Sequence, residues 1–331
     1  MAEIEGLEVI NVNKAERESA AWGIPLVDWM ELEIQIRGSV DVFGHAYVDD
    51  DVVEERWRSE VAVVLIEAGL VSKANRFVEC SRYAYLYQCE GPDQHRLFSP
   101  IYCDLRFCPR CAPRQFARLL KKYEPIVRQV YSNQKPGFRL REITLTSANL
   151  GSLNSAQVRR FNQAAKTTLK KLMRKVRGWG AIWCDEVGFD NTNLHAHVLF
   201  YGPYIPQRVL AQVWNEVSGH QVVWINEASG NGSSALLYLL KYVSKAPTRD
   251  ANRVGQLEVA FHKTRRIHSL GVFYRLAGRD PDNEYSEWTG CPHCGADIEK
   301  QPGHLRIENA ILEGRTFVGT KHTARRREWV N

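Results

Sequence analysis

GAIWCDEVGFDNTNLHAHVLFYG, residues 180–202, holds two apolar runs, GAIWCDEVGF (180–189) and LHAHVLFYG (194–202), on either side of polar FDNTN (189–193). Short apolar runs bounded by turn residues read as strands, so the stretch predicts two strands paired through that loop. Along a strand, residues i and i+2 point to one face. His195 and His197 therefore face the same way, and two imidazoles on one face can chelate a single ion. Glu186 stands nine residues before His195 and can lie beside the imidazoles once the strands pair. Two imidazoles and one carboxylate leave coordination positions open, which is a catalytic arrangement and not a closed structural one. Asp185 points to the opposite face of a regular strand, so only one of the two acids can serve. A His-x-His pair taken alone is more often structural than ligating.

Working outward, REITLTSANL (141–150) reads as a strand with a polar exit. SAQVRRFNQAAKTTLKKLMRKVRG (155–178) reads as a long basic helix with one apolar stripe, Phe161, Ala165, Leu169, Leu172 and Val176. Ser155 is placed to cap its start and Gly178 to end it. QRVLAQVWNEVSG (207–219) is a helix, QVVWINEA (221–228) a strand, and SALLYLLKYVSKAP (234–247) a helix stopped by Pro247. EVAFHKTRRIHSLGVFYRL (258–276) is expected to supply one or two strands. This order predicts an α+β fold, with an antiparallel central sheet and helices packed on one face.

In YLLKYVSK (238–245), Tyr238 and Tyr242 share a helix face, and Lys241 and Lys245 flank it. Tyrosine is a poor nucleophile near neutral pH, with a free pKa of about 10. It can attack phosphorus when a metal polarises the phosphate and nearby lysines offset the developing charge. The competing reading is an amphipathic helix whose tyrosines pack in a core.

The chain has eight cysteines, and five of them fall within residues 80–111. Between Cys80 and Cys103, two alternating aromatic runs flank EGPD, a hairpin pattern that would bring its two ends together. CDLRFCPRC (103–111) follows, with the spacing C-x4-C-x2-C. Cys80, Cys103, Cys108 and Cys111 thus supply the four soft ligands of a structural Zn2+ site, with Cys89 left over near the hairpin tip. GCPHCGADIEK (290–300) is a second knuckle; Cys291 and Cys294 are expected to hold a second zinc with His304 and His322.

The chain has 331 residues, 44% hydrophobic and 25% charged, the balance of a folded protein of two or more domains. That excludes disordered and fibrous classes, and no run approaches the roughly 18 apolar residues of a membrane span. The start, MAEIEGLEVINVNKAE, lacks the pattern of a secretory signal, so a cytoplasmic protein with reduced thiols and no membrane partner is expected. Residues 1–70 hold 16 acidic and 5 basic side chains, a net of −11, against 22 acidic and 39 basic in the remainder, a net of +17. The basic body suits a polyanion, with nucleic acid the first candidate. Residues 1–75 read as an acidic accessory module, with a strand at WMELEIQIRG (29–38) and a helix at 49–70. A cysteine module is expected at 76–115, the site-bearing domain at 116–275, and the second knuckle with a basic tail at 276–331.

In combination, NLHAHVLF resembles the histidine–hydrophobic–histidine motif of the HUH endonucleases, and YLLKYVSK resembles their two-tyrosine motif. REITLTSAN is similar to their first motif, and CDLRFCPRC to the cysteine cluster of rolling-circle plasmid replication initiators. The resemblance covers roughly residues 80–275 and implies a five-stranded antiparallel sheet flanked by helices. It further implies that Tyr242 attacks a phosphate at a DNA origin and stays joined to the 5′ side, while the freed 3′-OH primes a host DNA polymerase. Tyr238 would attack when the origin is regenerated. His195 and His197 would bind Mg2+ or Mn2+ with Glu186 as third ligand, and Lys241 and Lys245 would contact phosphate. No G-x-x-x-x-G-K-[ST] loop occurs, so the resemblance also implies that a host helicase unwinds the origin. Two other readings stand beside it: a two-tyrosine transposase, and a zinc-stabilised DNA-binding regulator without catalysis.

Overall fold

The computed structural model describes residues 51–188, 192–228, 232–243, 248–277 and 290–317. The strand expected at 29–38, together with Lys245 and His322, lies outside them. The elements of the first half are α1 (Asp51–Glu67), α2 (Val71–Val78), β1 (Tyr83–Cys89), β2 (Arg96–Pro100), α3 (Ala112–Ser132), β3 (Arg139–Thr146), α4 (Ser155–Leu172) and β4 (Gly180–Val187). There follow β5 (Leu194–Gly202), α5 (Gln207–Ser218), β6 (Val223–Glu227), α6 (Gly232–Leu240), α7 (Ala251–Ala260), β7 (His268–Leu270), α8 (Gly271–Ala277), β8 (Ile298–Arg306), α9 (Ile307–Leu312) and β9 (Thr316–Phe317).

A five-stranded antiparallel sheet of order β6-β3-β5-β4-β7 forms the centre. β4 and β5 pair with Glu186 opposite His195 and Cys184 opposite His197. β3 lies on the other side of β5, with Thr146 opposite His195 and Thr144 opposite His197. Helices cover both faces, where one face was expected. Ile182, Cys184, Leu199 and Tyr201 pack against α3 and α6. Ala181, Trp183, Ala196, Val198 and Phe200 pack against α1, α4, α5 and α7. The reason is visible in β4 and β5 themselves, whose apolar residues run almost without alternation and are buried on both sides.

Other differences from the sequence reading are local. α4 ends at Leu172 with Met173 as C-cap, six residues before Gly178. Its cap is Asn154, which accepts from the amides of Ala156 and Gln157 while Gln157 reaches back to the Asn154 N–H, a complete capping box. Ser155 is the first residue of the helix. The segment expected as strand at 258–276 holds the end of α7, the short β7 and α8. Asp250 caps α7 through the amide of Arg253, and Val254, Leu257 and Ala260 bury the helix in the core, so tertiary packing overrides the strand propensity. SALLYLLKYV continues past α6 as a turn at residues 241–243, bonded Tyr242 N–H to Leu239 O and Val243 N–H to Leu240 O.

The β1–β2 hairpin has the expected register, Tyr85 opposite Ser99, and belongs to a second sheet of order β8-β1-β2-β9. β8, from the C-terminal segment, is thus the antiparallel neighbour of β1.

Candidate active site and metal centres

β4, β5 and α6 meet at the five-stranded sheet's α3-facing side. Glu186 Oε2 lies 2.8 Å from His197 Nε2, the diagonal contact open to side chains on adjacent strands. His195 Nδ1 lies 3.0 Å from Thr146 Oγ1, which orients the ring with its other nitrogen free to serve as a donor. Burial pushes the pKa of His195 down, and the His197 charge adds to this against an opposing effect of Glu186; the ring is therefore held in its neutral, ligating form. Two imidazole nitrogens and a carboxylate oxygen suit a divalent ion such as Mg2+ or Mn2+. Among the described residues these three do not gather their donor atoms within 4.8 Å, whereas two cysteine groups do.

The Tyr242 ring lies flat on the His197 imidazole, 3.7 Å between centroids and 3° between planes. Its hydroxyl donates to Tyr238 Oη at 2.9 Å. Burial pushes the Tyr242 phenol far above the ordinary tyrosine value, and the hydrogen bond to Tyr238 adds to the shift. The Lys241 ammonium sits 3.7 Å over the Tyr238 ring and 4.9 Å from that of Tyr242. Asp185 takes no part: it faces the other side, where its carboxylate accepts from Asn162 Nδ2 at 2.6 Å.

Sequence reasoning missed three neighbours. Glu142 on β3 lines the same cleft as Thr144, His197, Trp224, Asn226 and Tyr238. Burial pushes its carboxyl up against the lowering charges of Lys241 and His197. Trp224, at 59% exposure, is an open aromatic ring at the rim, opposite Thr144 in register. Thr146 is the third. The signal for all three was alternation: in REITLT, Glu142, Thr144 and Thr146 fall on one face of a strand, and pairing with β5 puts that face with the histidines.

Two cysteine groups could hold a metal such as zinc. Cys80, Cys103, Cys108 and Cys111 are all buried, with ligand atoms within 4.8 Å of one another. Sulfur separations are 3.5 Å for Cys80–Cys111, 3.5 Å for Cys103–Cys111 and 3.6 Å for Cys80–Cys108. A tetrahedron with Zn–S of about 2.3 Å has edges of about 3.8 Å, so the thiols stand within a few tenths of an ångström of that geometry. The hairpin does bring Cys80 and Cys103 together, with the Cys103 N–H donating to Cys80 Sγ at 3.4 Å. Burial opposes ionisation of Cys108, but bonds from Cys103, Cys111 and Cys80 and the Arg58 charge hold its thiol well below the usual range. Four thiolates around Zn2+ carry a net negative charge, and the buried Arg58 guanidinium is placed to offset it.

The second group is Cys89, His95, Cys291 and Cys294. His304, expected as a partner of Cys291 and Cys294, is not part of it; that ring stands opposite Tyr85 on β8 and meets the edge of Tyr83 at 5.2 Å. Cys89, left over in the sequence reading, and His95 occupy the expected histidine places because β8 pairs with β1 and carries the knuckle to the hairpin tip.

Among known proteins, residues 141–247 match a family model of replication-associated proteins, the ORF2 group. The match runs from β3 to the segment after α6, the elements that carry the histidines and both tyrosines, and it supports a replication initiator role and interaction with DNA. No curated protein and no solved structure is significantly similar to the chain. No helix among the described residues is long and apolar enough to cross a membrane.

Proposed function

We propose that the protein is a metal-dependent, site-specific single-strand DNA endonuclease and strand transferase of the HUH type, which initiates rolling-circle replication. The reading rests chiefly on one observation: Tyr242 is stacked on His197, with its hydroxyl on Tyr238 and Glu186 bonded to the same imidazole. A hydrophobic core would bury those tyrosines without gathering a carboxylate, two imidazoles and a lysine around them. The match to a replication-associated family favours replication over transposition.

In this reading, Tyr242 Oη attacks a backbone phosphorus. The O–P bond forms, the P–O3′ bond breaks, and the phenolic proton passes through solvent to the departing 3′ oxygen. The DNA is left joined to Tyr242 through its 5′ phosphate, and the 3′-OH is free to prime a host polymerase. A phenol held neutral by burial must shed its proton into a compensated site, and Lys241 supplies a positive charge at the rings of both tyrosines. A Mg2+ or Mn2+ ion held by His195, His197 and Glu186 would polarise the phosphate oxygens as a Lewis acid. Tyr238 is the second nucleophile, used on the regenerated origin so that the 3′-OH can rejoin the first strand. Trp224 offers its exposed face to a base beside the scissile phosphate.

The test is incubation of labelled single-stranded origin libraries with Mn2+, followed by denaturing electrophoresis. A protein–DNA adduct is expected, absent in Tyr242→Phe, lost with EDTA and restored by Mn2+. Tyr238→Phe should keep the first adduct and lose strand rejoining. No adduct on any substrate, with tight metal-independent binding, would instead identify a DNA-binding regulator.

A further inference from the structure

We infer that Cys89, His95, Cys291 and Cys294 hold a second structural zinc ion, one that fastens the C-terminal strand β8 onto the β1–β2 hairpin and is the more readily lost of two. The inference does not rest on the nuclease reading. Cys89 Sγ lies 3.4 Å from Cys294 Sγ, and Cys291 Sγ lies 3.5 Å from His95 Nδ1. For tetrahedral zinc with bonds of about 2.3 Å to sulfur and 2.0 Å to nitrogen, the corresponding edges are about 3.8 and 3.6 Å. A disulfide, at about 2.05 Å, fits the sulfur pair much less well.

The surroundings are those of a ligand cradle. The Gly91 N–H donates to Cys89 Sγ at 3.2 Å, and a Cβ at Gly91 would meet Cys294 Sγ at 2.9 Å, so the turn has no room for a side chain there. The knuckle closes through Gly295 N–H to Cys291 O at 2.8 Å and Cys291 N–H to Ala296 O at 2.6 Å. Glu90 N–H donates to Asp297 O at 2.9 Å, tying the two loops backbone to backbone. The other face of the imidazole site is also ordered: Asp93 Oδ2 stands 3.9 Å from His95 Nε2, the orienting carboxylate common behind a ligating histidine, and His293 stacks on the ring at 4.7 Å.

The donors come from chain segments some two hundred positions apart, so an ion here closes a very long loop and holds β8 in place. Around it the apolar support is small, Tyr87, Leu97 and Ile298 being its main members. The four-cysteine group lies wholly buried inside the main core, whereas Cys294 is exposed. A chelator reaches an exposed sulfur first, which sets the order of release.

Zinc content of the full chain, purified under reducing conditions without chelator, tests this. Two zinc ions per chain are expected, with one in Cys294→Ser and one in His95→Ala, while His304→Ala keeps two. A colorimetric chelator should remove one equivalent quickly and the second slowly, and the fast phase should be missing in Cys294→Ser. Hydrogen exchange along β8 should rise in Cys294→Ser and His95→Ala. One zinc or none in the wild-type chain would overturn the inference, as would unchanged zinc in Cys294→Ser or a Cys89–Cys294 disulfide in the reduced preparation. Should both variants fail to fold, the wild-type stoichiometry and its two release phases decide alone.

Discussion

Thr146 shows how a single side chain can govern the candidate site without being a ligand. Its hydroxyl stands 3.0 Å from His195 Nδ1 and fixes which ring nitrogen faces the cleft. Such orienting partners typically contribute about 10–100-fold to metal affinity. Thr146→Val keeps the shape and deletes the hydrogen bond, so the Mn2+ concentration for half-maximal adduct formation should rise by about tenfold or more, with the saturating yield little changed. An unchanged metal requirement would remove Thr146 from the site. The histidines and tyrosines were legible because their spacing is local: i, i+2 on a strand and i, i+4 on a helix. Glu142, Thr146 and Trp224 were not, because their part depends on which strand lies beside β5 and in what register.

At the scale of elements, two ends and one junction are testable. α4 is capped by Asn154 through the amides of Ala156 and Gln157. Asn154→Ala should cost about 1 kcal/mol in denaturant unfolding, and Ser155→Ala close to nothing. The reverse ranking would restore the cap read from the sequence. α1 is anchored by Glu54, which bonds Arg58 at 2.7 Å and Arg110 at 3.0 and 3.2 Å, joining the helix to the four-cysteine module. Burial alone would raise the Glu54 pKa, but the Arg58 and Arg110 charges outweigh it and hold the carboxyl below its ordinary value of 4.5. A depressed folded-state pKa gives stability that is present above 4.5 and lost as pH falls below it. Glu54→Gln leaves the buried Arg58 poorly compensated and should cost about 3 kcal/mol near pH 7. The gap from wild type should narrow as pH falls below about 4.5, as measured by urea unfolding at several pH values; a constant gap would mean the charge of Glu54 contributes nothing.

For the whole molecule, residues 71–331 carry 39 basic against 22 acidic side chains. Counterion release then dominates affinity for single-stranded DNA, and log affinity should fall linearly with log salt, by about 0.7 per phosphate neutralised. Fluorescence anisotropy across a salt series measures the slope, and a flat line would rule out a polyanion as the principal ligand. The sequence by itself determined the local units: the strand pair around 180–202, helix α3 at Ala112–Ser132, and the hairpin that brings Cys80 to Cys103. Each rests on periodicity and turn chemistry within some twenty residues, which is the range over which backbone geometry alone sets who meets whom. Only the tertiary structure decided that helices cover both faces of the central sheet, that β3 brings Glu142 and Thr146 to the histidines, and that Cys89 and His95 meet Cys291 and Cys294. Those meetings depend on which strands pair across long stretches of chain, a choice made by burial of the whole core and carried by no local pattern.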